Sequence, residues 1–178
     1  NYAYQVSEQG NNGTIWAIIA LDSGNYYRDE AGNKARAAWI DLLINMQQDD
    51  GNWPIYNPDQ VATGSGSDLG GVDVCAMALQ ALAPYYLDAG EFNRLDAAHS
   101  YEDLQNAVKK ALDFLSTSQN STGGYGSSES SAQVIVALAA LNKDAGGDEE
   151  FVKNNISVLA DLLSYGLEDG SFGHDAGK

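Results

Sequence analysis

Gln47-Gln48-Asp49-Asp50-Gly51-Asn52-Trp53 recurs in altered form as Gln119-Asn120-Ser121-Thr122-Gly123-Gly124-Tyr125, and again as Gly166-Leu167-Glu168-Asp169-Gly170-Ser171-Phe172. Each copy places an aromatic residue two positions after a glycine, and the first two also place a Gln four positions before it. Self-similarity is read before anything else because a repeat dictates the architecture of the whole chain. Trp53 and Tyr125 lie 72 residues apart and Tyr125 and Phe172 only 47. The excess falls in the polar stretch from Leu87 to Ser100, which reads as an inserted loop.

Outward from these segments, each copy ends a helical pattern. Trp39, Leu42, Leu43 and Met46 recur on one face, as do Val108, Ala111, Leu112 and Leu115, and again Val152, Ile156, Leu159 and Leu163. The pattern predicts three amphipathic helices, each stopped at a glycine turn. Ser100 and Asp103 form a capping box ahead of the second, and Asp148, Glu149 and Glu150 supply negative charge at the start of the third. Between the turns lie alanine-rich stretches that are apolar around most of their circumference: Trp16 to Leu21, Ala76 to Leu82 and Ala132 to Leu141. Small residues allow close approach, so these are expected as inner helices buried on more than one side.

The 178 residues, 44% of them hydrophobic, are enough for one domain with its own core. Nine Lys and Arg against twenty-five Asp and Glu give a net charge of -16. A chain so poor in cations cannot assemble the basic face that nucleic acid or an anionic membrane requires. No apolar run approaches the length of a membrane span, and Asn1 opens a polar segment without signal-peptide character. A single cysteine, Cys75, rules out an internal disulfide framework and a zinc site built on several thiolates. Three glycosylation sequons, at Asn12, Asn120 and Asn155, are too short a pattern to carry weight.

The Gln-x-x-x-Gly-x-Trp pattern of Gln47, Gly51 and Trp53, with its Tyr125 variant, resembles the repeat of the terpene-cyclase and protein-prenyltransferase superfamily. The resemblance spans Trp16 to Phe172. It implies an all-α fold, a partial α/α toroid in which outer helices ring a layer of inner helices, with residues 1–178 forming a single partial domain of a longer chain. The stretch from Val72 to Tyr86, together with Ser131 to Leu138, looks most like the toroid-like repeats of large surface proteins of Gram-positive bacteria, which implies an extracellular or cell-surface, non-catalytic module. The inner-helix pattern is also similar to that of the cobalamin carriers intrinsic factor and transcobalamin.

The physical reading of the repeated motif is structural. Gly51, Gly123 and Gly170 free the backbone to leave the helix; Trp53, Tyr125 and Phe172 cover the end of a neighbouring pair; Gln47 and Gln119 bond the free backbone groups of the turn.

Catalytic sets of the resembled families are incomplete. An alkene-protonating Asp-x-Asp-Asp acid is missing, although Asp68 and Asp73 are present, and Asp49-Asp50 reads as a solvated turn. Asp73-Val74-Cys75 resembles two of the three zinc ligands of prenyltransferases, but the histidine expected near Ser130 to Gln133 is absent, and His99 and His174 lie elsewhere. Asp73 as a helix N-cap and Cys75 as a small core residue is the simpler reading. Cys75-Ala76-Met77-Ala78 cannot form an internal thioester, no nucleophile elbow appears, and the glycine runs at Thr63 to Gly71 and Ala145 to Gly147 lack a phosphate-binding lysine. The oxygens of Asp144 to Glu150 and Asp49 to Asn52 do not follow the spacing of a calcium loop.

The expectation is therefore a binding or spacer module with no cofactor, no metal and no catalytic residues. Any ligand is expected at the inner-helix starts, on Asp73, Ser131 and Gln133. The alternatives are part of a cyclase- or prenyltransferase-like enzyme completed by other residues of the full protein, or a cobalamin-type carrier. Partners are a ligand of unspecified kind or neighbouring domains, and apolar flanks left at the ends of a repeat predict self-association.

Overall fold

The computed structural model describes residues 9–55 and 71–175, and it is mostly helical. The run from Thr63 to Gly70 read as a linker, Asp68 and the opening segment from Asn1 all lie outside the described residues. In chain order the helices are α1 (Gly10–Ser23), α2 (Glu30–Met46), α3 (Gly71–Leu87), the short α4 (Ala89–Asn93), α5 (Tyr101–Ser118), α6 (Ser128–Ala140) and the short α7 (Val158–Leu163). A 3-10 turn (Glu149–Phe151) and two-residue strands β1 (Val152–Lys153) and β2 (Ile156–Ser157) precede α7.

The alanine-rich helices α1, α3 and α6 pack side by side, with α3 in the middle, and each also packs on the amphipathic element that follows it: α2, α5 and α7. Cys75 near the start of α3 faces the Ala111 carbonyl in the C-terminal half of α5, while Tyr101 at the start of α5 donates to the Tyr86 carbonyl at the end of α3. The two helices therefore run antiparallel. Their shared core contains Leu79, Leu82, Leu104, Val108 and Leu115, all fully buried. Trp39, Leu43, Val108, Ala111 and Leu115 occupy the core faces that the three- and four-residue spacing predicts.

Local chemistry sets the helix starts. Asp29 caps α2, Ser127 caps α6 and Ser157 caps α7 through their side-chain oxygens. Ser100 and Asp103 close the predicted capping box on α5, with Asp103 N donating to Ser100 Oγ at 3.1 Å and Ser100 N to Asp103 Oδ2 at 2.8 Å. The inserted stretch after Leu87 is ordered: Asp88 caps α4, and Phe92 and Leu95 are buried against the core. Asp73 is not an N-cap; it lies in the first turn of α3, which opens at Gly71, and is exposed.

The third amphipathic helix departs from its sequence pattern. Only Val158–Leu163 is helical, and Ile156, Leu159 and Leu163 are exposed rather than forming a core face. The cause is Asn154-Asn155: both residues have positive φ, 52° and 65°, and form the two-residue turn of a β-hairpin pairing Val152 with Ser157 and Lys153 with Ile156. Asn tolerates this left-handed backbone better than most residues, so turn chemistry overrides the apolar periodicity. The buried face of α7 is instead Val158 and Asp161.

Candidate functional site

The repeated Gln-Gly-aromatic turns follow one geometry. In the first, Gln48 N bonds Asn52 O at 2.9 Å and Gly51 N bonds Gln48 O at 3.0 Å; in the second, Asn120 N bonds Gly124 O at 2.9 Å and Gly123 N bonds Asn120 O at 3.1 Å. The third repeats it, with Leu167 N to Ser171 O at 2.8 Å and Gly170 N to Leu167 O at 3.0 Å. The three glycines share a left-handed backbone, with φ of 92°, 88° and 85°, which L side chains rarely adopt.

Glutamine and aromatic side chains turn this local structure into a joint between units. Gln47 Nε2 donates to Gly51 O at 3.0 Å within its own turn and to Ala107 O of α5 at 2.8 Å. Gln119 Nε2 makes the matching pair, to Gly123 O at 2.6 Å and Phe151 O at 2.9 Å. Trp53 is fully buried and its Nε1 donates to Leu43 O at 2.7 Å; Tyr125 OH donates to Leu115 O, ten residues back in the same way, at 3.0 Å. At Gly51 an added Cβ would lie 2.2 Å from Lys110 O, and at Gly123 2.6 Å from Ile156 O, so each glycine lets its turn rest on the backbone of the next unit.

The third copy closes no such joint among the described residues. Gly166 stands where the other copies have Gln, no described atom lies within 4 Å of a Cβ added to Gly170, and Phe172 is 51% exposed. Tyr165 is the buried aromatic at this end among the described residues.

The expected ligand residues separate. Ser131 is fully buried, accepting from Tyr125 N at 3.2 Å and donating to Asp161 Oδ2 at 3.1 Å, so its hydroxyl is committed to the fold. Asp73 is exposed and Gln133 half-buried, both on the alanine-rich row. With Trp16, Met77, Gln80 and Val136 they lie on the solvent side of α1, α3 and α6, where Trp16 and Val136 are each 51% exposed.

Cys75 is fully buried, 3.9 Å from Gly51 O and 3.7 Å from Ala111 O, and burial pushes its thiol well above the ordinary range. Such a thiol is a poor nucleophile and a poor metal ligand. His99 bonds Asn45 at 3.0 Å and His174 bonds Glu129 at 2.9 Å. Among the described residues no group of His, Cys, Asp and Glu is arranged to hold a metal. Lys143 takes Asp148 and Glu150 at 2.7 and 2.9 Å, while Asp144 and Asp50 accept from backbone amides of their own turns.

Two features escape sequence reasoning. Arg36 is fully buried, with Nε on Asp22 Oδ1 at 2.8 Å and its terminal nitrogens on Tyr27 O and Tyr26 O at 2.9 and 2.7 Å; Tyr85 OH donates to Asp22 Oδ2 at 2.8 Å. This cluster ties α1, α2 and α3 together, and the Arg36 side chain is wholly enclosed by the fold. Asp161 is buried and accepts from Thr122 Oγ1 at 2.8 Å and from Ser131, tying α7 to the second turn. Open grooves of about 700 Å³, between α2 and the loop of Arg94 to Ala98, and about 490 Å³, between α2 and α5, run along the amphipathic row.

No helix among the described residues is long and apolar enough to cross a membrane. No family model, no curated protein and no solved structure matches this chain.

Proposed function

We propose that the chain is a stretch of α/α toroid serving as a non-catalytic binding or spacer module of a secreted or cell-surface bacterial protein. The observation that carries this reading is the twice-built joint: Gln47 and Gln119 each spend one amide on two carbonyls, one in their own unit and one in the next. A device repeated at the same position of successive units serves stacking, and stacking an alanine-rich row against an amphipathic row is how a toroid or related repeat builds a continuous surface. The residues with the strongest chemical potential support the same reading, because Cys75 and Ser131 are buried within the joints. The ligand surface is the solvent side of the alanine-rich helices, where Trp16 offers an aromatic plate and Gln80 and Gln133 offer amides.

The test is a native mass spectrum of the purified chain after incubation with zinc, with cobalamin and with a polyprenyl diphosphate in turn. The bare polypeptide mass is expected in each case. A stoichiometric zinc adduct abolished by Cys75→Ala, or turnover of the diphosphate, would overturn the non-catalytic reading in favour of the prenyltransferase-like one. On a glycan and peptide array, signals lost in Trp16→Ala and Gln133→Ala place the ligand on this face; signals that survive both changes remove it.

A further inference from the structure

The internal joints show how one unit receives the turn of the unit before it. On α5 the receiving flank is Asp103, Ala107, Lys110 and Phe114: Ala107 O takes the Gln47 amide and Lys110 O lies against Gly51. Just ahead of α5, His99 bonds Asn45 of the preceding unit, and Asp41 of that unit accepts from Ala98 N and His99 N.

Helix α2 is the counterpart of α5, set 72 residues earlier, as Gln47 and Gln119 or Trp53 and Tyr125 show. Its equivalent flank is Ala31, Ala35, Ala38 and Leu42, a row of small and apolar side chains at helical spacing. Ala31 and Ala38 are exposed, Ala35 and Leu42 half-buried. Tyr27, 72 residues before His99 and two residues ahead of the Asp29 cap, is 71% exposed, and its neighbour Tyr26 58%. At the other end the third turn holds the donor conformation, with Gly170 at φ 85° and open space beside it. Around it Leu163, Leu167 and Phe172 are 63%, 38% and 51% exposed, and Ser164 occupies the place that Asn45 holds in the first unit. So many apolar side chains exposed together at one end mark an interaction surface.

We infer that the third turn and α7 of one copy dock on the α2 flank of a second copy, head to tail, by the contact that already joins the first turn to α5. The Gly166-to-Phe172 turn rests on the backbone at Ala38, and Leu163 and Ser164 meet Tyr27. Because donor and receiver are different surfaces, the contact is heterologous and each copy keeps one free end. Gly166 supplies no amide where the internal joints have Gln, so the contact is weaker than theirs. With a net charge of -16 on each copy, it tightens as salt screens the repulsion.

Sedimentation velocity from micromolar to millimolar chain, at low and high salt, tests this. The expected result is an average mass that rises with concentration and rises further with salt. Leu163→Asp and Tyr27→Asp each alter one exposed side chain at one end, Asp being tolerated at the positive φ of Tyr27. Each variant alone is expected to sediment as a monomer with an unchanged helical spectrum, and an equimolar mixture to form a dimer through the one intact donor and the one intact receiver. Phe172→Asp and Ala38→Glu form a second pair at the same ends, to be used if either of the first pair loses its fold. A constant monomer mass across the range, association untouched by both single changes, or a mixture that stays monomeric would each overturn the inference.

Discussion

Gln47 and Gln119, 72 residues apart, use their amide nitrogens identically: each bonds the carbonyl of its own turn glycine and one carbonyl of the following unit, Ala107 O at 2.8 Å and Phe151 O at 2.9 Å. A buried carbonyl without a donor is costly, so these amides stabilise two backbones at once. Gln47→Met or Gln119→Met, which keep the volume and remove the donors, are each expected to cost about 1–3 kcal/mol in urea unfolding. Gln119→Glu is expected to cost more than Gln119→Met, since a carboxylate would face two carbonyl oxygens. Equal stability of the Glu and Met variants would remove the amide from the account of the joint.

Trp53 fills the first joint with no solvent exposure, and its side chain makes one hydrogen bond, from Nε1 to Leu43 O. Trp53→Ala is expected to lose about 3–5 kcal/mol through lost burial and a residual cavity. Trp53→Phe, retaining a ring but not the donor, is expected to recover most of that. A loss below about 1 kcal/mol for the alanine variant is far smaller than cavity formation allows and would mean the ring is not a staple.

How much of this was legible in the sequence follows from the range of the interactions. The core faces of α2 and α5 are written in three- and four-residue spacing, and the capping box of Ser100 and Asp103 lies within one helical turn, so both are read directly. The donors of the joints, Gln47 and Gln119, are also visible, because they repeat at fixed distance from a glycine. Their acceptors across the joint, Ala107 and Phe151, are backbone groups of ordinary residues and carry no signal. The Arg36, Asp22 and Tyr85 cluster needs three helices to meet before its charges find one another. Ser131, expected as a ligand group, is instead spent on Asp161, a residue that looked like one more polar position on a helix.

Arg36 has no solvent exposure, and Asp22 is its charged partner at 2.8 Å. Removing one member of a buried pair leaves the other uncompensated, so Asp22→Ala is expected to destabilise by roughly 3–5 kcal/mol. Arg36→Met combined with Asp22→Leu is expected to be less damaging than Asp22→Ala alone, because it removes both charges. A chemical-denaturation series of the three variants checks the order; a double variant worse than the single would show that the bonds from Arg36 to Tyr26 O and Tyr27 O outweigh the charge.

Alkaline pH acts on the same core. Cys75, Tyr85 and Tyr125 all have their pKa values pushed up, chiefly by burial, with the hydrogen bond that the Tyr85 hydroxyl donates to Asp22 as a further cause. A group whose folded pKa is raised contributes stability that is complete below its unfolded pKa and is lost as pH rises toward the folded value. Melting temperature is therefore expected to stay level through neutral pH and to fall beyond about pH 8.5–10, the unfolded range of thiol and phenol. Cys75→Ala is expected to move the onset of that fall upward, toward the tyrosine range. An onset unchanged in Cys75→Ala would show that the thiol is not the first group to titrate.

The Asn154-Asn155 turn decides whether the third unit has a hairpin or a continuous helix. Both residues sit at positive φ, where Asn is tolerated and alanine pays about 1–2 kcal/mol per position in steric strain. Asn155→Gly is expected to be neutral or stabilising, since glycine meets no strain there, whereas Asn154→Ala with Asn155→Ala is expected to weaken the hairpin. The latter pair also restores helix propensity to a segment whose apolar residues already recur at helical spacing, from Val152 through Leu163. Circular dichroism separates the two consequences: lost stability at constant helix content is expected if the contacts of Ser157 and Asp161 with the rest of the fold hold the hairpin in place. A gain of helical signal without loss of stability would show that only the turn residues keep the third unit from matching α2 and α5.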